Sequence, residues 1–282
     1  MREFLARIWD ELDNSKRREF VAGIAKPYPS RVIAAVLGAP VEDAPRLHHW
    51  SNMVQRQFDI QALATQIPEI ERAAVEAHDY VARLLEDRKK TPREDLISTL
   101  IHAEEDGDKL THDECVNLVL NVLAGGVDTT QSQLAHAMRL FAEHPGQWDL
   151  LAKDPDELAP AAVQEVLRFE PIAPFTARIV LEDTEHRGVL FPAGTIVAVC
   201  AERANREQAG ETFDITAARD AKLFTFGAGA HFCLGANLAR AELEEALAFL
   251  APRMPGLTLD GEPVLGGVEG IYGVESLPLR WN

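Results

Sequence analysis

Cysteine is scarce. Only Cys115, Cys200 and Cys233 occur among 282 residues, and no two of them form a CxxC pair. That excludes a disulfide framework and the thiolate sets of structural zinc or iron–sulfur clusters, and it fits a reducing, cytoplasmic setting. Positive charge is also in short supply, with 28 Lys and Arg against 45 Asp and Glu for a formal net charge of -17. A nucleic-acid or anionic-membrane partner is therefore disfavoured without a local basic patch. The short Lys16-Arg17-Arg18 and Arg88-Lys89-Lys90 clusters read as solvated helix faces. Long apolar runs are missing: none reaches the roughly 20 residues of a membrane span, and the N-terminus has charges throughout where a secretory signal needs a continuous apolar stretch. Internal repeats, low-complexity tracts and polar linkers are absent too, so one domain is expected.

What is present is a chain with 46% hydrophobic residues, long enough to bury about 75% of the surface its unfolded form exposes. The pattern is helical first and mixed later: mainly α with small β-sheets, a helical part over about residues 1–170 and a β-rich part over about 171–282. Period-3.6 spacing dominates to about Glu143, with loop signals at Pro27-Tyr28-Pro29, Gly38-Ala39-Pro40 and Thr91-Pro92. The capping box Thr111-His112-Asp113-Glu114 predicts one buried helix running to His144-Pro145-Gly146, about 48 Å long at 1.5 Å per residue. A second helix is predicted from about Pro160 to Pro171. Ala177 to Val199 reads as short antiparallel strands, LFTFGAGAHFCLGANLARAELEEALAFL as a glycine loop entering a helix, and GEPVLGGVEGIYGVESLPLRW as hairpins.

Three constellations carry chemistry. In Phe226-Gly227-Ala228-Gly229-Ala230-His231-Phe232-Cys233-Leu234-Gly235, glycines permit positive φ and close approach to a flat ligand. The helix that follows offers N–H groups and a dipole that favour a thiolate. A lone cysteine at a helix start is usually a small core residue; the ten-residue pattern is more specific. Glu165 and Arg168, three apart, share a helix face; in isolation such a pair is an ordinary surface pair worth a few tenths of about 1 kcal/mol. Gly125-Gly126-Val127-Asp128-Thr129-Thr130 lies near the centre of the long helix. Paired glycines beside hydroxyls distort helices, and a buried acid beside an alcohol can relay protons; taken alone, the string also reads as a capped kink.

Together these strings resemble the cytochrome P-450 family. FGAGAHFCLG is similar to its haem-binding signature, EVLR to its ExxR motif and GGVDTT to its oxygen-activation motif. The resemblance implies haem b (iron protoporphyrin IX), with Cys233 as the iron ligand and Phe226, Gly227, Gly229, His231 and Gly235 around it; His231 would reach a propionate. It implies that Glu165 and Arg168 are a buried structural pair, that Asp128 and Thr129 deliver protons for oxygen activation, and that Gly125 and Gly126 make room there. More weakly, Arg178 resembles an arginine that pairs with a propionate, and the loop from Pro171 to Thr176 and the residues around Ile271-Tyr272 would line the distal pocket. The family usually completes the Glu–Arg network with an arginine in a segment before the cysteine loop. Here Thr212 stands at that position, so Arg206 or another residue must substitute.

The resemblance begins part-way along the family's fold: earlier strands, a propionate-binding helix and a pocket-capping loop are not matched, so the resemblance implies that residues 1–282 are a single partial, N-terminally truncated domain. The implied activity is a monooxygenase that inserts one oxygen atom from dioxygen into a small apolar organic substrate, with electrons from a separate ferredoxin or flavodoxin. Two alternatives stand beside it, a poorly gated haem-binding module and a non-catalytic remnant.

Overall fold

The computed structural model describes residues 1–12, 15–105, 110–219, 222–266 and 271–282. Its first stretch is helical: α1 (Arg2–Glu11), β1 (Arg17–Glu19), a π-helical turn at Val21–Ala25, α2 (Pro27–Leu37), α3 (Ala44–Gln55), α4 (Ile60–Thr65), α5 (Ile67–Lys90), α6 (Leu96–Glu105), α7 (His112–Gly126), α8 (Asp128–Glu143), α9 (Pro145–Lys153) and α10 (Pro155–Phe169). Then come β2 (Phe175–Ile179), β3 (Thr184–His186), β4 (Val189–Phe191), β5 (Ile196–Cys200), α11 (Ala201–Ala209), α12 (Ala236–Leu250), β6 (Thr258–Leu259), β7 (Val264–Leu265), β8 (Val274–Ser276) and β9 (Pro278–Arg280). All strand pairs are antiparallel: β1 and β6 flank β9, while β2–β5, β3–β4 and β7–β8 are two-stranded. The expected hairpin character of the C-terminal tail holds for β7–β8, although residues 267–270 lie outside the described residues.

Two apolar cores organise the helices. In one, α8 (Leu134, Met138, Phe141) is packed among α10 (Val163, Val166), α12 (Leu243, Leu247) and the N-terminal Leu5 and Ile8. In the other, α7 (Val116, Val119, Leu123) packs on α2, α3 and α5 through Ile33, Leu47, Trp50 and Val81. No described helix is long and apolar enough to cross a membrane.

Four sequence expectations are corrected. The Thr111 capping box forms, but the helix it starts ends at Gly126, and α8 begins afresh at Asp128. The carbonyls that should continue the ladder are taken by side chains: Thr129 Oγ1 bonds Gly125 O, while Ser51 Oγ (3.2 Å) and Gln55 Nε2 (2.7 Å) bond Ala124 O. The last helix before the strands starts a turn and a half earlier than predicted, at Pro155, and runs through Pro160. Pro160 is exposed, so the helix bond it removes faces solvent. Pro27 and Pro29 occupy the first turn of α2 rather than a loop, since their missing N–H groups would have no helical partner there. Finally, the basic clusters are solvated helix face only in part: Lys89 and Lys90 are exposed on α5, but Arg17 and Arg18 lie on β1, and Arg88 turns inward to Asp95 (2.6 Å) and the Gly38 carbonyl.

Candidate active site

The cysteine loop is a tight wrap made possible by two left-handed glycines, Gly227 (φ 71°) and Gly229 (φ 78°). Its turns close through Gly227 N–H to Phe224 O (2.9 Å) and Phe232 N–H to Gly229 O (3.0 Å). The Cys233 N–H is spent on Phe226 O (3.0 Å), and the Cys233 carbonyl accepts from Ala236 at the start of α12 (3.3 Å). The backbone at Cys233 is thereby fixed at both ends while its thiol is exposed. Phe226 is held edge-on to Phe232 at 6.5 Å, with the Arg240 guanidinium 4.6 Å from its ring centre.

Behind the loop, the fully buried Asn205 donates to Thr225 Oγ1 (3.0 Å) and accepts from Phe224 N–H (2.9 Å), and Thr225 Oγ1 donates to Leu167 O in α10 (2.6 Å). One turn away, Glu165 and Arg168 form a two-point pair at 2.7 and 2.9 Å, with side chains only 4% and 2% exposed. Burial this deep makes the pair structural, because removing one partner strands the other's charge. The third member is Arg219, whose Nε and Nη2 each lie 3.1 Å from a Glu165 oxygen. Thr212, at the position where the arginine was sought, contributes its carbonyl, accepting from Arg168 (2.8 Å) and Arg219 (2.9 Å). Arg206 is not the substitute: it donates to Phe169 O and pairs with Glu202.

At the helix break, Asp128 is buried and accepts from Ser51 Oγ (3.0 Å), while His48 Nε2 lies 3.6 Å from its other oxygen. Burial raises the Asp128 pKa above the usual carboxylate range, against the opposing pull of His48, Ser51, Asn52 and Lys26. Thr129, partly exposed, directs its hydroxyl to Gly125 O rather than to Asp128. The two glycines differ. A Cβ on Gly125 would enter open space, whereas one on Gly126 would collide with Ile33 of α2. Gly126 thus secures close packing, and the room lies at Gly125.

The break and the cysteine loop meet across α8 and α12. Thr130 Oγ1 is 3.4 Å from Glu242 Oε2, Tyr28 donates to the Glu242 carbonyl (3.0 Å), and Leu238 packs against both cores. Glu242 is an unanticipated residue: burial pushes its carboxyl up to about 8. Two candidates are left outside this assembly of contacts. His231 sits exposed in a short 3-10 turn, and Arg178, exposed on β2, donates to the adjacent Ala177 carbonyl. Tyr272 is anchored by its backbone, donating to Ile172 O (2.7 Å) and accepting from His136 Nε2 (3.0 Å).

The surface around Cys233 suits a flat apolar group with a metal at its centre. The thiol stands between Phe232, 51% exposed, and Leu234, 77% exposed, and added Cβ atoms at Gly229 and Gly235 would meet nothing within 4 Å. An exposed thiol flanked by two exposed apolar side chains fits the donor and lining that a haem requires.

Comparison with known proteins agrees with this geometry. The family model for cytochrome P-450 matches residues 46–250. The chain is 40% identical over 269 residues to luteothin monooxygenase of Streptomyces thioluteus, spanning 94% of this chain and 66% of that protein. It is 32% identical over 271 residues to the methyl-branched lipid omega-hydroxylase of Mycobacterium tuberculosis, spanning 95% and 63%. Among solved structures it superposes on CalO2 with a TM-score of 0.92 at 30% identity, covering all of this chain and 72% of that one. The complex of P-450 BioI with an acyl carrier protein bearing hexadec-9Z-enoic acid gives 0.90 at 31% identity, covering 100% and 73%. The chain thus spans about two thirds of the length of its curated relatives, and its matched residues include the cysteine loop, the buried Glu–Arg pair and the broken helix: it belongs to the cytochrome P-450 family, whose cofactor is haem.

Proposed function

We propose that this protein is a haem-thiolate monooxygenase that inserts one atom of dioxygen into an apolar organic molecule. The observation that carries the reading is the exposed Cys233 thiol on a backbone locked by Phe226 O and rooted in the buried Glu165–Arg168–Arg219 network. Haem b, when bound, supplies activation of dioxygen and transfer of one oxygen atom. Cys233 would hold its iron, and Phe226, Gly227, Gly229 and Gly235 would line the haem face beside it. His231 and Arg178, both exposed and cationic or protonatable, are available to its propionates.

The remaining residues manage protons and water. Asp128, with its pKa raised by burial, exchanges a proton more readily near neutrality than an exposed aspartate does. Thr129 sits beside the open space at Gly125; its hydroxyl donates to the Gly125 carbonyl, which leaves its oxygen available as an acceptor there. Gly125 leaves room for a small molecule, and Gly126 keeps α2 closed against the break.

An apolar substrate is supported by the lipid hydroxylase among the relatives and by the apolar helices around the break. A separate ferredoxin or flavodoxin is the proposed electron donor, and the scarcity of cysteine and lack of a membrane-crossing helix among the described residues support a cytoplasmic location. The described chain is proposed to act as one domain.

A carbon monoxide difference spectrum of the reduced protein, with and without Cys233→Ser, tests the reading. A red-shifted Soret band in the wild type that is lost in the variant supports thiolate ligation. A wild type that binds no haem leaves the remnant alternative standing, and a variant that keeps the band overturns Cys233 as ligand.

A further inference from the structure

Asp128 is buried, so the proton it handles must reach it through another group. α3 presents His48, Ser51 and Gln55 to the break at spacings of three and four, along one helix face. Ser51 and Gln55 both satisfy the Ala124 carbonyl that the break exposes, and Ser51 also holds one Asp128 oxygen. The other oxygen, Oδ1, is buried without a hydrogen bond. It faces His48, whose Nε2 lies 3.6 Å from it and 2.9 Å from Gln131 Oε1. His48 also lines a surface groove of about 670 Å³ between α1, α2 and α3, together with Lys26, His49 and Asn52. His48 and Asn52 therefore both stand between the Asp128 carboxyl and the groove, and of the two only the imidazole can take up and release a proton.

We propose that His48 is a positioning residue that acts through Asp128, passing protons to it from the groove between α1, α2 and α3. The importance of this route for turnover rests on the monooxygenase reading; the route itself does not. In the step, Nδ1 gains a proton from the groove solvent, the Nε2–H leaves its acceptor Gln131 Oε1 and breaks, and an O–H bond forms at Asp128 Oδ1, leaving a neutral ring protonated at Nδ1. Exchange with groove water then restores the starting tautomer, and no electron changes hands. Gln131 Oε1, at 2.9 Å, is the nearer acceptor for Nε2–H, so the ring must release Gln131 before the proton crosses the 3.6 Å to Oδ1.

The charges around His48 suit this task. Burial, with Lys26 and His49, lowers its pKa, while the Gln131 bond and the Asp128 charge raise it; the net direction is down. Across the groove, Arg31 and Glu11 pair with each other at 2.8 Å rather than with His48. The ring is thus neutral near neutral pH and free to accept a proton that it gives up at once, while Asp128 is shifted toward receiving it.

Two measurements test the proposal. First, the His48 ring is titrated by nitrogen-15 NMR in the whole chain, with and without Asp128→Asn. The expected midpoint lies below that of a free histidine and falls further when the Asp128 charge is removed. An unchanged midpoint, or a ring that does not exchange with solvent, overturns the route. Second, product formed per electron is followed against pH in the haem-loaded protein and in His48→Gln, which keeps a donor toward Gln131 or Asp128 but cannot carry a proton. His48→Gln should retain the wild-type carbon monoxide spectrum, lose the wild-type pH inflection and slow the proton-dependent step at least about tenfold. A wild-type pH profile in this variant overturns the proposal while leaving the monooxygenase reading intact. Absence of the thiolate–haem spectrum in the wild type defeats that reading instead, and the NMR titration then still decides the route.

Discussion

Replacing Glu242 by glutamine should make the protein less sensitive to rising pH. Glu242 lies on the inner face of α12, 1% exposed, with Thr130 as hydrogen-bond partner to one oxygen and none to the other. Its carboxyl moves from an ordinary 4.5 to about 8 because burial penalises the charged form. The folded state therefore keeps a proton that the unfolded chain releases above about 4.5, so folding loses stability as pH rises from there to about 8. At about 1.4 kcal/mol per pH unit, the loss between pH 5 and 8 is roughly 3.5 kcal/mol. At about 2 °C of Tm per kcal/mol for a chain this large, that is roughly 7 °C. Glutamine is nearly isosteric and does not titrate. Melting curves at several pH values should show the wild type losing roughly that much more Tm over this range than E242Q. Equal slopes in the two proteins would refute the assignment of a neutral buried carboxyl.

Glu165→Ala should cost about 3–5 kcal/mol by leaving Arg168 charged and buried, and Arg168→Ala somewhat less because Arg219 still reaches both Glu165 oxygens; near-wild-type denaturant midpoints would contradict the pair's structural role. Arg219→Ala should destabilise less, since Arg168 still pairs with Glu165, yet should lower haem retention by loosening residues 210–219 ahead of the cysteine loop; unaltered retention would remove Arg219 from the network. Asn205→Ala should cost about 1–3 kcal/mol, because it leaves Phe224 N–H and Thr225 without their buried partner, measurable as faster proteolysis at the loop. His136, lowered to about 4 by burial, should make the fold acid-sensitive between about 6.5 and 4: the unfolded chain takes up a proton there that the folded chain refuses. His136→Gln should flatten that part of the stability profile.

The chemistry was more legible in the sequence than the geometry that supports it. The cysteine loop was readable because its glycines sit where positive φ is needed, and the Thr111 capping box because its two halves lie three residues apart. The helix break was visible as a glycine pair, but its completion was not. It depends on Ser51 and Gln55 arriving from a helix about 70 residues earlier, and the signal was there only as a polar stripe on the otherwise apolar face of α3. Arg219 escaped notice for a related reason. The segment before the cysteine loop presents two backbone carbonyls, Gly210 O and Thr212 O, to Arg168, and these set the path that brings an arginine seven residues after Thr212 back to Glu165. Linear spacing carries no record of that turn. Glu242 could have been found as the one acid among the buried Leu243, Ala246 and Leu247 positions of α12.

The division of apolar residues at Val127 has a further consequence for how the molecule opens. α7 belongs to one core and α8 to the other, joined by a single residue whose flanking carbonyls are held by side chains rather than by the helix ladder. A continuous helix would tie the two cores into one cooperative unit; an interrupted one lets them separate as subglobal units with different opening free energies. Amides of α7 should then exchange with deuterium together with those of α3 and α5, and amides of α8 with those of α10 and α12, while α2, which gives Val32 to one core and Ile33 to the other, spans the two classes. Thr129 lies just beyond the boundary between these two exchange classes.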